Sequence, residues 1–180
     1  MIIGFIFCDE AVFKNALTRL VKRFGKIDFE SRELDFTYTD YYRQEFGPSL
    51  KRKFIGFFKL IDPAGLFTIK DITNNIEKKL SGHGRRNINI DPGYVCLSKL
   101  VLATTKDYAH RVYLNRGIYA EIALTFKNKS FTALDWTYPD YRSAEYIAIF
   151  NQIREIYAHE FNKPKNPVGA GLKPAPTISR

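Results

Sequence analysis

Phe54-Ile-Gly-Phe-Phe-Lys-Leu-Ile61 is a largely apolar stretch that leads straight into Asp62-Pro63. Its length and composition suit a strand. Asp62 can accept the free amides of a first helical turn, and Pro63 is tolerated there, so a helix starts at this point. Leu66, Ile69, Thr73, Ile76 and Leu80 then form one stripe at helical spacing, ended by Gly82. The N-terminus repeats the pattern: Ile2 to Cys8 is apolar, Asp9 can cap, and Phe13, Leu17, Leu20 and Phe24 recur at helical spacing up to Gly25. Between the two units Ile27 and Phe29 alternate, and Leu34, Phe36 and Tyr38 resume after a shift, which predicts a strand broken by a bulge or turn. A strand over Asn87 to Ile90 then completes a ferredoxin-like β-α-β-β-α-β unit, so the expected class is α+β.

Asp91-Pro92-Gly93 reads as a turn, with Asp bonding the amides that follow it. Further antiparallel strands are expected at Leu97 to Ala103, Arg111 to Leu114 and Ile118 to Phe126, with a return near Phe131 to Trp136. A last helix, capped by Ser143, places Tyr146, Phe150, Ile153 and Tyr157 on one face. The domain therefore spans Met1 to Phe161. Residues 162–180, a basic Pro- and Gly-rich tail, are expected to be disordered because they cannot bury enough surface to order themselves.

The formal net charge is +9, but Lys163, Lys165, Lys173 and Arg180 belong to the tail, which holds no acid. The rest is spread through the body, a mild bias toward anionic partners rather than a nucleic-acid footprint. Eleven tyrosines accompany fifteen phenylalanines. Each tyrosine hydroxyl needs a partner, so many belong at surfaces and rims. Cys8 and Cys96 stand in apolar strings without metal or redox spacing and are expected to be buried, reduced thiols. The apolar start lacks a basic n-region and a cleavage site, and no run is long enough to span a bilayer, so a cytoplasmic location without a membrane partner is expected.

Strand alternation through Lys99 to Phe126 yields the main site candidate. With Leu100, Leu102, Val112, Leu114, Ile118, Ala120, Ile122, Leu124 and Phe126 facing the core, one opposite face presents Lys99, Arg111, Tyr113, Tyr119 and Glu121. Neighbouring turns add Asn89, Asp91, Thr105, Lys106 and Asp107, and a polar loop at Asp40 can fold over them. Arg and Lys suit a phosphate or carboxylate, Tyr stacks or hydrogen-bonds, and the acids orient. A solvated sheet face with an Arg111–Glu121 cross-strand pair accounts for the same pattern. His110 falls on the side of Val112 and suits a strand-edge role; partnered by Asp107 or Asp91 it could serve as a general base. No HExxH, paired-His or Cys/His spacing predicts a metal, and no motif calls for a particular cofactor.

Several ordered phrases, Thr39-Asp-Tyr-Tyr42, Asn89-Ile-Asp-Pro-Gly-Tyr94, Lys99-Leu-Val-Leu-Ala-Thr-Thr-Lys-Asp107, Gly117-Ile-Tyr-Ala-Glu121 and Trp136-Thr-Tyr-Pro-Asp-Tyr-Arg-Ser143, give the chain a resemblance to the bacterial domain-of-unknown-function 4416 family from Met1 to Phe161. The resemblance implies a bacterial origin and carries over no catalytic assignment. A GTP-binding label found on some such proteins has no support in this chain, which lacks GxxxxGK[ST].

The expectation is a domain that binds a phosphorylated or nucleotide-like anionic ligand on a polar sheet face. One alternative is an enzyme acting on a phosphoester or related anion, with His110 and Asp91 as acid and base. The other is an RNA-binding module, which is not favoured: Lys53-Phe-Ile-Gly-Phe-Phe-Lys-Leu60 matches the RNA-recognition strand pattern poorly.

Overall fold

Strand β1 (Ile2–Phe7) lies inside the sheet, buried along its whole length, with β4 (Lys51–Phe57) on one side and β5 (Ile88–Val95) on the other. The computed structural model of the chain describes residues 1–38, 46–47, 49–82 and 84–161. Asp40, His83 and the tail lie outside the described residues.

After β1 come α1 (Glu10–Phe24), β2 (Ile27–Glu30) and β3 (Leu34–Asp35), then β4. A 3-10 turn, Pro63–Gly65, leads into α2 (Leu66–Lys79). After β5 follow β6 (Lys99–Thr104), β7 (Val112–Asn115), β8 (Ile118–Lys127), β9 (Ser130–Ala133) and the C-terminal α3 (Ala144–Phe161). The fold is α+β. All pairings in the nine-stranded sheet are antiparallel, in the order β2-β4-β1-β5-β6-β8-β7, with β3 also on β4 and β9 also on β8.

The helix signals act where they were read. Asp9 Oδ1 accepts the amide of Ala11 at 2.7 Å, Asp62 Oδ1 that of Ala64 at 3.0 Å, and Ser143 Oγ that of Tyr146 at 3.2 Å. Strand alternation divides the core between the two faces. Ile3, Phe5, Phe7, Ile55, Ile88 and Ile90 pack with α1 and α2 residues such as Phe13, Leu20, Ile69 and Ile76. Ile2, Phe54, Leu100, Leu102 and Leu124 pack with Tyr146, Ile149, Phe150 and Ile153 of α3 on the other face.

Three expectations need correction. Asp91-Pro92-Gly93 is not a turn: β5 runs through it, held by register pairs Gly4↔Asp91, Ile3↔Pro92 and Ile2↔Gly93 on β1. Tertiary pairing overrides the local turn chemistry. The core alternation of β8 also fails, because the β6–β8 register shifts between Leu100 and Val101. Ala123 and Leu124 are buried while Ile122 is 38% exposed. In β7, which among the described residues pairs only with β8, Val112 is 68% exposed. Finally, Cys8 is exposed and Cys96 half-buried, both as free thiols; Cys8 lies just past the end of β1 where the chain bends into the Asp9 cap.

The feature that shapes the site is a fork in the sheet. β5 pairs with β6 only at Gly93, Tyr94 and Val95, although β5 stays on β1 back to Ile88 and β6 stays on β8 forward to Thr104. The strands part at Pro92, which has no N–H to donate. At the closed end of the fork the backbones approach so nearly that only Gly fits. A Cβ on Gly93 would collide with the Val101 carbonyl oxygen and lie 2.9 Å from Leu102 Cδ2.

Gly93→Ala is therefore expected to lower unfolding stability by about 2–3 kcal/mol, the scale of overpacking in a tight core. Urea denaturation checks this, and an unchanged midpoint would contradict the close approach.

Candidate functional site

Where β5 and β6 separate, a cavity of about 820 Å³ opens. It is reached from the loop after β6 and floored by β4, β1 and β5, and α2 supplies one wall. Register places the floor residues. Arg52, Ile6 and Asn89 stand in one row across β4, β1 and β5, and Phe54, Gly4 and Asp91 in the next. With no side chain on Gly4, the Arg52 guanidinium lies over that position; a Cβ there would stand 2.9 Å from Arg52 Nη2.

Arg52 is fully buried and packs over Phe54, with its Cζ 4.6 Å from the ring centroid. Nη2 donates to Tyr141 Oη at 2.6 Å, and Nη1 is 3.7 Å from Asp91 Oδ2. Burial opposes its charge, but Tyr141, Asp140, Tyr146 and Asp91 outweigh that and hold its pKa above the ordinary arginine value. Asp140 is buried next to it, and burial raises its carboxyl pKa against the pull of Arg52.

The wall from α2 carries Lys70, Asn74 and Glu77, spaced so that they share a helix flank. Lys70 Nζ donates to the carbonyl of Ile90 at 3.0 Å and to Asp91 Oδ1 at 3.3 Å; Glu77 Oε1 accepts the Ile90 amide at 2.6 Å. Both backbone groups of Ile90 thus find side-chain partners on the edge that β6 leaves open. Asp91 is held further by Asn89, whose Nδ2 donates to Oδ2 at 2.6 Å, and Arg86 Nη1 donates to Asn89 Oδ1 at 3.3 Å. Burial raises the Glu77 pKa, countered in part by Lys70 and the Ile90 amide.

On the opposite wall Arg111 and Glu121 meet, with Nε donating to Oε2 at 2.6 Å, both buried. Arg111 also donates from Nη1 to the Lys106 carbonyl at 2.9 Å and from Nη2 to Tyr138 Oη at 3.1 Å, and its Cζ lies 4.5 Å from the Tyr108 ring centroid. His110 Nε2 lies 3.3 Å from the same Glu121 Oε2 and its ring stacks on Trp136 at 5.4 Å. The carboxylate that partners His110 is therefore Glu121, in place of Asp107 or Asp91.

Of the residues proposed from sequence, Asn89, Asp91, Thr105, Lys106, Arg111 and Glu121 line the cavity. Lys99 does not. It pairs with Thr125 at the far end of β6, and Glu121 lies opposite Leu102, which puts Glu121 on the face of Leu100 and Leu102. Tyr119 packs against Tyr113 at 5.4 Å and does not line the cavity. Sequence reading missed Arg52, Lys70, Glu77, Tyr108, Tyr138, Asp140 and Tyr141. The signal for the α2 residues was present: Lys70, Asn74 and Glu77 run beside the apolar stripe of Leu66, Ile69, Thr73 and Ile76. Arg52 shares strand parity with Phe54, which marks it as facing inward. Among the described residues no group of His, Cys, Asp and Glu is arranged to hold a metal ion, and no helix is long and apolar enough to cross a membrane.

The site is thus a polar cavity in a split antiparallel sheet of an α+β domain. Residues 1–157 match the family model described as a domain of unknown function (DUF4416), and the chain belongs to that family. No curated protein and no solved structure matches the chain.

The raised Glu77 pKa has a definite sign in stability. The folded state holds this proton more tightly than the unfolded chain, so the contribution is fully present below about pH 4.5, the ordinary glutamate value, and is lost as pH rises through the folded-state pKa. Glu77→Gln has no such loss. Urea midpoints for wild type and Glu77→Gln across that range should shift in the variant's favour as pH rises; a difference independent of pH would contradict the assignment.

Proposed function

We propose that the cavity binds a small anionic ligand, phosphorylated or nucleotide-like. The observation that carries this reading is a cavity of about 820 Å³ lined by Arg52, Lys70, Arg86, Lys106 and Arg111 and edged by Tyr108 and Tyr138. That volume lies in the range of small-molecule sites, and tyrosines give a ring system apolar area with a polar tip. Four carboxylates, Glu77, Asp91, Glu121 and Asp140, share that lining with the five cations, which leaves one formal positive charge in excess. Glu77 is engaged by the Ile90 amide, Asp91 by Lys70 and Asn89, and Glu121 by Arg111.

An acid–base enzyme is the second reading, and the His110–Glu121 contact is what favours it. Its geometry departs from the expected pair. Asp91 is tied to Lys70, Asn89 and Arg52, which suits a fixed orienting carboxylate better than a proton carrier. RNA binding through β4 is disfavoured because Phe54, Ile55 and Phe57 are all buried and offer no stacking surface. We also read the order β2-β4-β1-β5, with α1 and α2 on one face, as a ferredoxin-like core that β6 to β9 extend. The two free thiols are in keeping with a reducing, cytoplasmic setting in a bacterial cell.

The test is a thermal-shift screen of nucleotides and phosphorylated metabolites against their unphosphorylated counterparts. A ligand at about 100 times its Kd should add about 2.7 kcal/mol, or roughly 5–10 °C for a domain of this size. Thr105→Trp, at the exposed rim, should abolish that shift while leaving the unliganded melting temperature unchanged. The reading falls if no phosphorylated compound stabilises the protein, or if the shift survives a blocked rim.

A further inference from the structure

Arg52 differs from the other cations of the cavity in how few of its donors are used. Its side chain is 1% exposed. Its hydrogen bond is from Nη2 to Tyr141 Oη; the 3.7 Å between Nη1 and Asp91 is beyond hydrogen-bond reach, and Nε has no partner among the described residues. A guanidinium is a fork of N–H donors with no acceptor, and leaving such donors unmet in a desolvated place is costly. Arg111, by contrast, has Nε, Nη1 and Nη2 all engaged, and Lys70 gives its protons to Ile90 and Asp91.

The surroundings of Arg52 add donors of their own. Tyr141 Oη accepts from Arg52 and so keeps its proton to give. Tyr146 Oη, buried in the same aromatic cluster with its ring centroid 5.9 Å from Arg52 Cζ, has no partner among the described residues. The floor of the cavity thus presents the donors of Arg52 and Tyr141, with the carboxylates of Asp91 and Asp140 beside them and Tyr146 packed behind.

Resting on the reading of the cavity as an anion-binding pocket, we infer that the ligand's anionic group docks at the floor against Arg52 and Tyr141, not at the rim beside Lys106. The ligand is an elongated molecule with a compact terminal oxyanion, a carboxylate or a phosphate, whose body extends toward Tyr108 and Tyr138. The planar guanidinium fork can present paired N–H donors to either oxyanion, and the Tyr141 hydroxyl supplies a further bond. A buried cation binds the oxyanion more strongly than an exposed lysine, whose charge is screened by water and salt. Lys106 is exposed and Arg52 is not. Gly4 is the residue that makes the arrangement fit, since a Cβ there would crowd Arg52 Nη2 at 2.9 Å.

The experiment titrates the full chain with inorganic phosphate and, separately, with acetate, reading melting temperature and calorimetric affinity. It compares wild type, Lys106→Ala and Gly4→Ala, the last of which displaces the guanidinium without removing its charge. The expected result is that at least one ion stabilises wild type and Lys106→Ala alike, and that Gly4→Ala weakens it by about tenfold or more. If Gly4→Ala does not fold, Tyr141→Phe carries the same expectation. Weakening in Lys106→Ala with full binding in Gly4→Ala or Tyr141→Phe overturns the inference and leaves the pocket reading standing. So does stabilisation by a phosphorylated compound with no response to either simple ion. If neither ion nor any phosphorylated compound stabilises wild type, the pocket reading itself falls and takes this inference with it.

Discussion

The amide and carbonyl of Ile90 face an edge of β5 that no strand among the described residues covers, and the arrangement of the site follows from how they are satisfied. A buried peptide unit left without partners would cost several kcal/mol, so a sheet cannot simply open in its middle. Here α2 supplies the missing ladder with side chains, Glu77 accepting from the amide and Lys70 donating to the carbonyl. The fork at Pro92 becomes tolerable, and the space between β5 and β6 is kept free. Lys70 then reaches Asp91, Asp91 approaches Arg52, and Arg52 reaches Tyr141, so one network runs from the helix through the gap to the opposite face of the sheet.

Such a network is a poor way to gain stability. Buried charges lose their hydration, and well-packed apolar side chains of similar volume generally do as well or better. Burial raises the carboxyl pKa of both Glu77 and Asp140, which shows the cost falling on these acids. Elsewhere the core is built economically, with the stacked rings of Phe7 and Phe13 at 4.6 Å and the edge-on rings of Phe24 and Phe57 at 5.9 Å. Concentration of charge in one cavity, against an otherwise apolar interior, is the pattern expected where local rules yield to function.

Much of this fold was legible in the chain because its signals are local. Asp9, Asp62 and Ser143 stand before their helices, and the stripe from Leu66 to Ile76 has one period and one outcome. The site was harder to see. Asp91-Pro92-Gly93 carries ordinary turn chemistry, and only pairing with β1 draws it into a strand. The bulge near Ala123 reverses the parity of β8, so that Ile122 turns outward and strand alternation misleads. Arg111 and Glu121 were found because they lie close in a hairpin. Arg52 joins Tyr141 across 89 residues, and nothing short-range in either segment announces the other.

The central claim is that α2 side chains, not β6, hold the open edge of β5. Hydrogen exchange at the Ile90 amide, followed by NMR in wild type and in Glu77→Ala, tests it most directly. The account predicts strong protection in wild type and a loss at Ile90 in the variant that exceeds the loss at Tyr94, within the segment that pairs with β6. Protection at Ile90 that is indifferent to Glu77, or that falls only in step with Tyr94, would mean that β5 is closed by another strand and that the cavity is not held open as described.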